Sequence, residues 1–249
     1  ALTVKQPEAC DLKVDKINEE KRENYRVERL IIGQKSVGEQ IPALLFVPEH
    51  PTGAVLIVHP EGKSALADGD SPSALVQGLL AKNKIVLGID TFKTGETALL
   101  KRNESINHFY TYNLSDTALR IQDILTGIAC LQTLTYTVDL IGLDQAGIWC
   151  LLARGMANNV NKTVVDANQI NYGDDNVWLK ELFIPHIRRA GDLKTAAALI
   201  SPNKLYIHNA SDRFPSEWFS DIYAVTRDSE SLYIQADKMS DQAILDIYK

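Results

Sequence analysis

The sequence predicts an α/β domain with a mostly parallel twisted sheet, helices on both faces and an antiparallel N-terminal edge. Short apolar strands alternate with amphipathic helices from about residue 71 onward, which is the pattern of a parallel sheet. Before that point three β segments follow one another without an intervening helix. Consecutive strands of this kind favour an antiparallel edge.

The composition of the chain argues against several functional classes. The 249 residues suit one domain with a substantial core. The net charge of −6 and the lack of a basic run argue against nucleic-acid binding, and no apolar stretch approaches the ~20 residues of a membrane span. The three cysteines are odd in number, and two lie in predicted helices. We therefore expect no nucleic-acid or membrane partner, no metal site and no cofactor.

The chain divides into two parts. Residues 1–24 are polar and rich in Lys and Glu, which predicts a solvated arm, surface helix or domain connector before a domain at 25–249. Ser71-Pro72 is a suitable start for a helix, and Ser115 is a suitable N-cap for a long one. The predicted strands cover residues 25–32, 41–47, 54–59, 84–90, 138–141, 163–165, 204–208 and 231–235. Further helices are predicted near 216–225 and from residue 240, and an irregular segment covers 168–202.

One stretch places a strand directly before a helix. Residues 138–141 are apolar apart from Asp139 and include the β-branched Val138 and Ile141, and apolar residues return at helical spacing from Ile148. A turn this short needs small residues on both sides, which Gly142, Ala146 and Gly147 supply. The residue at the centre of the turn is Asp144.

The segment Gly142-Leu-Asp-Gln-Ala146 resembles the nucleophile elbow G-x-S-x-G of the α/β-hydrolases. Other segments are similar to the acetyl xylan esterase and dienelactone hydrolase branch: residues 41–48, 56–62, 88–95, 120–134 and 189–202. The resemblance covers about 25–249 and implies the α/β-hydrolase fold with carboxylic ester hydrolase ancestry. It also suggests an extracellular or periplasmic location.

The resemblance implies a catalytic position for Asp144 and one for Asp212. Asp144 stands where the family has its nucleophilic serine, so it is either an aspartate nucleophile or a residue tolerated in a lost site. Asp212 follows a predicted strand, where the family places the acid. The oxyanion donors would be the backbone N–H groups of Gln145 and of the loop around Glu61, in which Pro60 has none to give.

The catalytic histidine is missing. The five histidines are His50, His59, His108, His186 and His208, and none lies beyond the last predicted strand. The family would place its histidine in the loop that holds Lys238. A serine or an aspartyl ester would then lack its base, and Asp144 would oppose a developing oxyanion.

Three functions remain open. The first is a non-catalytic esterase-like domain, working beside a catalytic esterase domain of the same parent protein. The second is an active carboxylic ester hydrolase with Asp144 as nucleophile, and the third is a module that binds a saccharide or acyl ester. We also predict that residues 168–202 cap the pocket through Trp178, Phe183, Pro185 and the pair Arg188-Arg189. Asp144 itself is expected to be a strained residue with no partner that needs its charge, so that Asp144→Ala leaves stability unchanged or improved.

Overall fold

The structure is a computed structural model that describes residues 3–68 and 71–248. Its strands are β1 (Leu12–Lys21), β2 (Tyr25–Gln34), β3 (Ile41–Pro48), β4 (Gly53–Val58), β5 (Ala67–Asp68), β6 (Ser71–Pro72), β7 (Lys84–Ile89), β8 (Val138–Gly142), β9 (Val160–Asp166), β10 (Lys204–His208) and β11 (Leu232–Ile234). Its α-helices are α1 (Ala74–Ala81), α2 (Phe109–Tyr112), α3 (Asp116–Gln132), α4 (Ala146–Arg154), α5 (Asp192–Ile200), α6 (Ser216–Val225) and α7 (Asp241–Asp246).

The main sheet has nine strands in the order β1-β2-β3-β7-β4-β8-β9-β10-β11. The pairs from β1 to β7 are antiparallel, and those from β7 to β11 are parallel. This confirms the predicted sheet and its antiparallel edge. Because parallel strands end at one edge, the loops after β4, β8, β9, β10 and β11 meet there.

Helices cover both faces of the sheet. Helices α3, α4, α5 and α6 pack on one face, and α1 and α7 pack on the other. In β4, Leu56 faces the first group while Val55 and Ile57 face the second, because successive side chains of a strand point to opposite faces. All of β4 is buried, as expected for a central parallel strand.

The N-terminal segment differs from the expected arm or surface helix. Residues 12–21 form β1, which pairs with β2 from Leu12↔Gln34 to Lys21↔Arg26 and has a bulge between Lys16 and Asn18. Backbone pairing does not require apolar side chains, and a charged, bulged edge strand resists pairing with other chains. Residues 1 and 2 of the predicted arm, and residues 69, 70 and 249 of the predicted domain, lie outside the described residues.

Helices α1 and α3 each begin after a serine whose side chain caps the helix, and α1 begins later than predicted. The side chain of Ser115 accepts the Ala118 N–H at 3.3 Å, which confirms the predicted start of α3. Helix α1 begins later than predicted, because Ser73 rather than Ser71 is its N-cap. Ser71-Pro72 instead pairs with β5, and the sequence alone does not reveal that pairing.

Two general features concern the described part of the chain. Across residues 3–68 and 71–248, no helix combines the length and apolar character required to cross a lipid bilayer. Within the same ranges, no three His, Cys, Asp or Glu side chains form a group suited to a metal ion. The cysteines are free thiols, of which Cys130 and Cys150 are buried.

Candidate active site

The predicted strand–turn–helix elbow is present between β8 and α4. Asp144 lies at its centre with φ of 47°, a left-handed conformation that aspartate tolerates better than most residues. A Cβ on Gly147 would lie 1.9 Å from the carbonyl oxygen of Asp166, and one on Gly142 would lie 2.7 Å from the Gly147 Cα. The small residues around the turn are therefore required by the close approach of the helix to two strands.

Asp144 has two partners. The Lys238 Nζ forms an ion pair with its Oδ1, and the His59 Nε2 lies 3.2 Å from its Oδ2. The hydrogen bond from Lys238 lowers the pKa of the Asp144 carboxyl, and the same bond raises the pKa of Lys238. The expectation that Asp144 has no partner needing its charge is therefore wrong.

A second carboxylate, Asp166, lies beneath the same lysine. Its side chain is fully buried at the end of β9, and its Oδ2 lies 3.4 Å from the Lys238 Nζ. Its Oδ1 accepts the Asn168 N–H at 2.6 Å and the Asn209 Nδ2 at 2.7 Å. The sequence reasoning missed Asp166 because it sought the acid after β10. The available signal was an acidic residue at the end of the strand that follows the elbow helix.

His59 has a defined tautomer. Its Nδ1 accepts the Glu61 N–H at 3.1 Å, so the proton of the neutral ring is on Nε2. His59 thus donates from Nε2 to Asp144 and has no free lone pair there. The Glu61 N–H is likewise occupied by this bond, although it was predicted to serve the oxyanion site.

The loop that carries His59 is held by Asp90, which is buried at the end of β7. The Asp90 Oδ1 accepts the Lys63 N–H at 2.7 Å, and its Oδ2 accepts the Lys63 ammonium at 2.5 Å. A Cβ on Gly62 would lie 2.3 Å from the Asp90 Oδ1, and one on Gly95 would lie 2.2 Å from it. These glycines let the backbone pass close to the carboxylate, which fixes the loop beside the elbow.

The other predicted site residues occupy different surroundings. Asp212 is exposed, and its side chain makes no hydrogen bond or ion pair with the described residues. Its role as the acid stays a prediction without a contact to support it. The backbone N–H of Gln145 precedes α4 and has no partner in the described chain, so its oxyanion role also stays a prediction.

His208 lies beside Asp166 as its register partner on β10. It is fully buried, its Nδ1 accepts the Met239 N–H at 3.3 Å, and its Nε2 has no partner among the described residues. Burial lowers the pKa of His208, and Lys238 acts in the same direction, while Asp166 and Asp144 oppose them. His208 is therefore held in its neutral form.

This neutral histidine predicts a pH dependence of stability. Below the ordinary histidine pKa of 6.5, the unfolded chain binds a proton that the folded chain does not, so stability falls as the pH falls. His208→Asn keeps an acceptor for Met239 but cannot titrate. Between pH of about 7.5 and 5.5, we expect the wild type to lose on the order of 1 kcal/mol more than His208→Asn in urea unfolding. Equal losses in the two proteins would exclude this role.

Part of the segment 168–202 lies beside the elbow, but the residues that line the cavity there are not those predicted to cap the pocket. Its residues 168–171, 177, 181 and 182 form a cavity of about 170 Å³ together with Gln145 and Ile148. Trp178 and Arg188 contact Tyr172, and Phe183 contacts Tyr110. In the described chain, no hydrogen bond or ion pair joins these residues to Asp144 or Asp212. The cavity places part of the segment beside Gln145, and a cap formed by the named side chains stays a prediction.

Comparison with known proteins identifies the fold. No protein-family model matches the sequence, and no curated protein does either. A glucuronoyl esterase from Solibacter usitatus matches 95% of this chain and 85% of its own, with a TM-score of 0.66 and 14% identity. A promiscuous CE15 esterase from a marine bacterial metagenome matches 95% and 84%, with a TM-score of 0.67 and 10% identity. Acetyl xylan esterase 1 from Thermoanaerobacterium matches 96% and 89%, with a TM-score of 0.57 and 15% identity.

The chain has the α/β-hydrolase fold. In this fold the nucleophile stands on the elbow, the acid follows a later strand and the histidine follows the last strand. Those places hold Asp144, then Asp166 or Asp212, and finally Lys238. Ion pairs join residues at these three places, since Lys238 contacts both Asp144 and Asp166. We call Asp144, Lys238 and Asp166 the aspartate–lysine–aspartate network.

This network changes the expectation for Asp144→Ala. The side chains of Asp144 and Lys238 are 38% and 55% exposed, so their ion pair contributes less than about 1 kcal/mol. Alanine at a positive φ adds about 1 kcal/mol of strain. We now expect Asp144→Ala to lower the free energy of unfolding by about 1–2 kcal/mol in chemical denaturation, whereas Asp212→Ala leaves it unchanged. An Asp144→Ala protein as stable as the wild type would contradict this.

Proposed function

We propose that this chain is an esterase-like domain without hydrolytic activity, in which the aspartate–lysine–aspartate network replaces a catalytic triad. The observation that carries the proposal is Lys238, which contacts both Asp144 and Asp166 from the loop where the fold places its histidine. Its pKa is raised by the bond to Asp144, so the ammonium has no lone pair with which to accept a proton. An ion-paired ammonium then stands where proton transfer is needed.

The rest of the site supports the same conclusion. The Asp144 carboxylate places negative charge where an oxyanion would develop, which opposes the electrostatic stabilisation that ester hydrolysis needs. The Glu61 N–H is bonded to His59, and Pro60 has no N–H, so Gln145 is left as the donor among the expected groups. Loss of triad members alone costs about 10⁴-fold or more in rate.

An active hydrolase with Asp144 as nucleophile is the alternative, and the contact between His59 and Asp144 favours it. A histidine this close resembles the base that would activate water against an acyl-aspartyl intermediate. The hydrogen bond from Glu61 to Nδ1 argues against it, because it leaves Nε2 as a donor. His59 would need to change tautomer and turn from Asp144 to act as a base.

Turnover measurements separate these two functions. We expect purified protein to hydrolyse p-nitrophenyl acetate no faster than the Asp144→Ala variant. An aspartate nucleophile would attack the acyl carbon, expel p-nitrophenolate and form an acetyl-aspartyl anhydride. In H₂¹⁸O, attack of water on the aspartyl carbon leaves ¹⁸O in Asp144, whereas attack on the acetyl carbon leaves it in acetate. Turnover that Asp144→Ala abolishes, with ¹⁸O in the peptide containing residue 144, would establish the active hydrolase and end the non-catalytic proposal.

A binding module is the second candidate, and the cavity of about 170 Å³ beside Gln145 favours it. Amide side chains of Gln145, Asn168 and Asn171 line this cavity, and such groups donate to and accept from hydroxyl and acyl oxygens. A xylo-oligosaccharide or its acetylated form that raises the melting temperature without turnover would support this function. If Gln145→Ala leaves that shift unchanged, the cavity is not the binding site.

The partner of a non-catalytic domain is also a proposal. We propose a catalytic esterase domain of the same parent protein, with an intact serine and histidine. The gene that encodes this chain provides the test, since it either contains such a domain or does not. Co-expression with that domain, followed by size-exclusion chromatography, measures whether the two associate.

A further inference from the structure

A second cavity lies away from the elbow. It encloses about 570 Å³ between the N-terminal segment, the β2–β3 turn, the loop after β7 and the first turns of α3, and it contains no residue of the aspartate–lysine–aspartate network. This volume is within the range of small-molecule sites. Reciprocal hydrogen bonds fix one wall, since the Lys5 N–H donates to the Gln122 Oε1 and the Gln122 Nε2 donates to the Lys5 carbonyl.

Most of the cavity wall is apolar. Phe92, Leu100, Leu114 and Leu119 line one side, and Val37 and Ile41 line the other. Val37 is 70% exposed and Leu100 is 51% exposed, so apolar surface remains open to solvent at the rim. Covering that surface with an apolar group would be favourable.

The polar part of the wall is a pair of carboxyl groups. Asp123 is 8% exposed, and it accepts the Phe92 N–H at 2.7 Å. Glu39 accepts the Thr126 hydroxyl at 2.9 Å and the Gln34 Nε2 at 3.2 Å. Burial, and then repulsion by Glu39, raise the pKa of Asp123, and burial raises the pKa of Glu39. The two carboxyls are hydrogen-bonded to each other, and this contact together with the raised pKa values favours one proton between them.

This carboxyl pair has no counter-ion in the described chain. Two other buried carboxylates have one: Asp90 pairs with Lys63 at 2.5 Å, and Asp192 pairs with Arg188 at 3.4 Å. No such ion pair reaches Asp123 or Glu39 from residues 3–68 or 71–248.

The charged groups around the pair are engaged elsewhere or exposed. Arg120 attracts Asp123, but its Nε donates to the Phe92 carbonyl at 3.0 Å and its guanidinium lies 4.4 Å from the centre of the Trp149 ring. Lys5 lies at the rim and is exposed. Asp90 also lines the cavity, and its charge is already matched by Lys63.

We propose that this cavity binds an organic cation, a primary or secondary amine on an apolar body. The ammonium contacts Glu39 and Asp123 and displaces their shared proton, while the body covers Phe92 and the leucines. A metal ion matches the cavity less well, because hard cations take six or more oxygen ligands and leave the apolar wall uncovered. The proposal does not depend on whether Asp144 is catalytic.

The first experiment compares two probes of the same shape. Phenethylammonium carries the charge, and 2-phenylethanol is its neutral analogue. In isothermal titration calorimetry we expect the ammonium to bind at least about tenfold more tightly, which corresponds to about 1.4 kcal/mol. The loss of the shared proton makes the measured enthalpy vary with the ionisation enthalpy of the buffer, and the affinity increases as the pH rises because the ligand competes with a proton.

Matched charge variants complete the test. Glu39→Gln should weaken phenethylammonium binding at least about tenfold and abolish the proton release. Glu23→Gln removes the same charge from an exposed residue that makes no ion pair in the described chain, and it should bind like the wild type. Glu39 is half-buried, so this variant is expected to fold, which circular dichroism checks. Equal binding of the two probes, no saturable binding below about 10 mM, or unchanged binding by Glu39→Gln would overturn the proposal.

Discussion

The double variant Asp144→Ser with Lys238→His is expected to gain weak esterase activity. The serine restores a nucleophile on the elbow, and a histidine at residue 238 would stand where Lys238 now contacts both Asp144 and Asp166. General base catalysis contributes about 10²–10⁴-fold in rate, and an unrefined site that is about 1 Å too loose loses much of this. We therefore expect p-nitrophenyl acetate hydrolysis about 10–100-fold faster than with Asp144→Ser alone.

A further substitution in the double variant tests which aspartate is the acid. Asp166→Asn keeps the oxygen that accepts from Asn168 and Asn209, but it removes the charge that would orient the histidine. Adding Asp166→Asn to the double variant should return the rate of p-nitrophenyl acetate hydrolysis to that of Asp144→Ser. Adding Asp212→Asn should leave the rate of the double variant unchanged. The opposite result would assign the acid to Asp212, as the sequence predicted. No activity in a folded double variant would show that the network is not in the place of a triad.

The variant Gly147→Ala is expected to be severely destabilised. A Cβ at this position would lie 1.9 Å from the Asp166 carbonyl oxygen, which belongs to the backbone of a central strand and cannot move alone. Overpacking of this kind costs about 3 kcal/mol, which corresponds to a decrease in melting temperature of roughly 10 °C for a chain of this size. Thermal unfolding followed by circular dichroism measures the decrease.

Gly173→Ala is the matched control for Gly147→Ala. A Cβ there would meet its nearest atom, the Asn171 Oδ1, at 3.7 Å, so we expect a change within about 0.5 kcal/mol. The two variants make the same chemical change. Gly147 lies in α4, where alanine is the better helix former, so a larger loss there reflects the lack of space. Similar melting temperatures for both would mean that the elbow helix can move away from β9 without loss of stability.

Much of the fold could be predicted because its causes are local. The apolar period of residues 119–131 specifies α3, and the side chain of Ser115 starts it. Short, mostly apolar segments that contain Val and Ile specify β4, β7 and β8. The elbow could be predicted because only small residues allow a helix to follow a strand so closely. Strand β1 was missed, since an edge strand needs only backbone pairing and its polar side chains resemble an arm.

The amino-acid sequence is enough to predict the α/β-hydrolase fold, the position of Asp144 on the elbow and the lack of a histidine after the last strand. The surroundings of Asp144 depend on tertiary contacts that the sequence does not reveal. Lys238 and Asp166 are 72 residues apart in the chain, and they meet because parallel strands end at the same edge of the sheet. The same is true of Glu39 and Asp123, which the β2–β3 turn and α3 bring together. Periodicity and capping are properties of neighbouring residues, whereas the pairing of charges depends on which strands become neighbours.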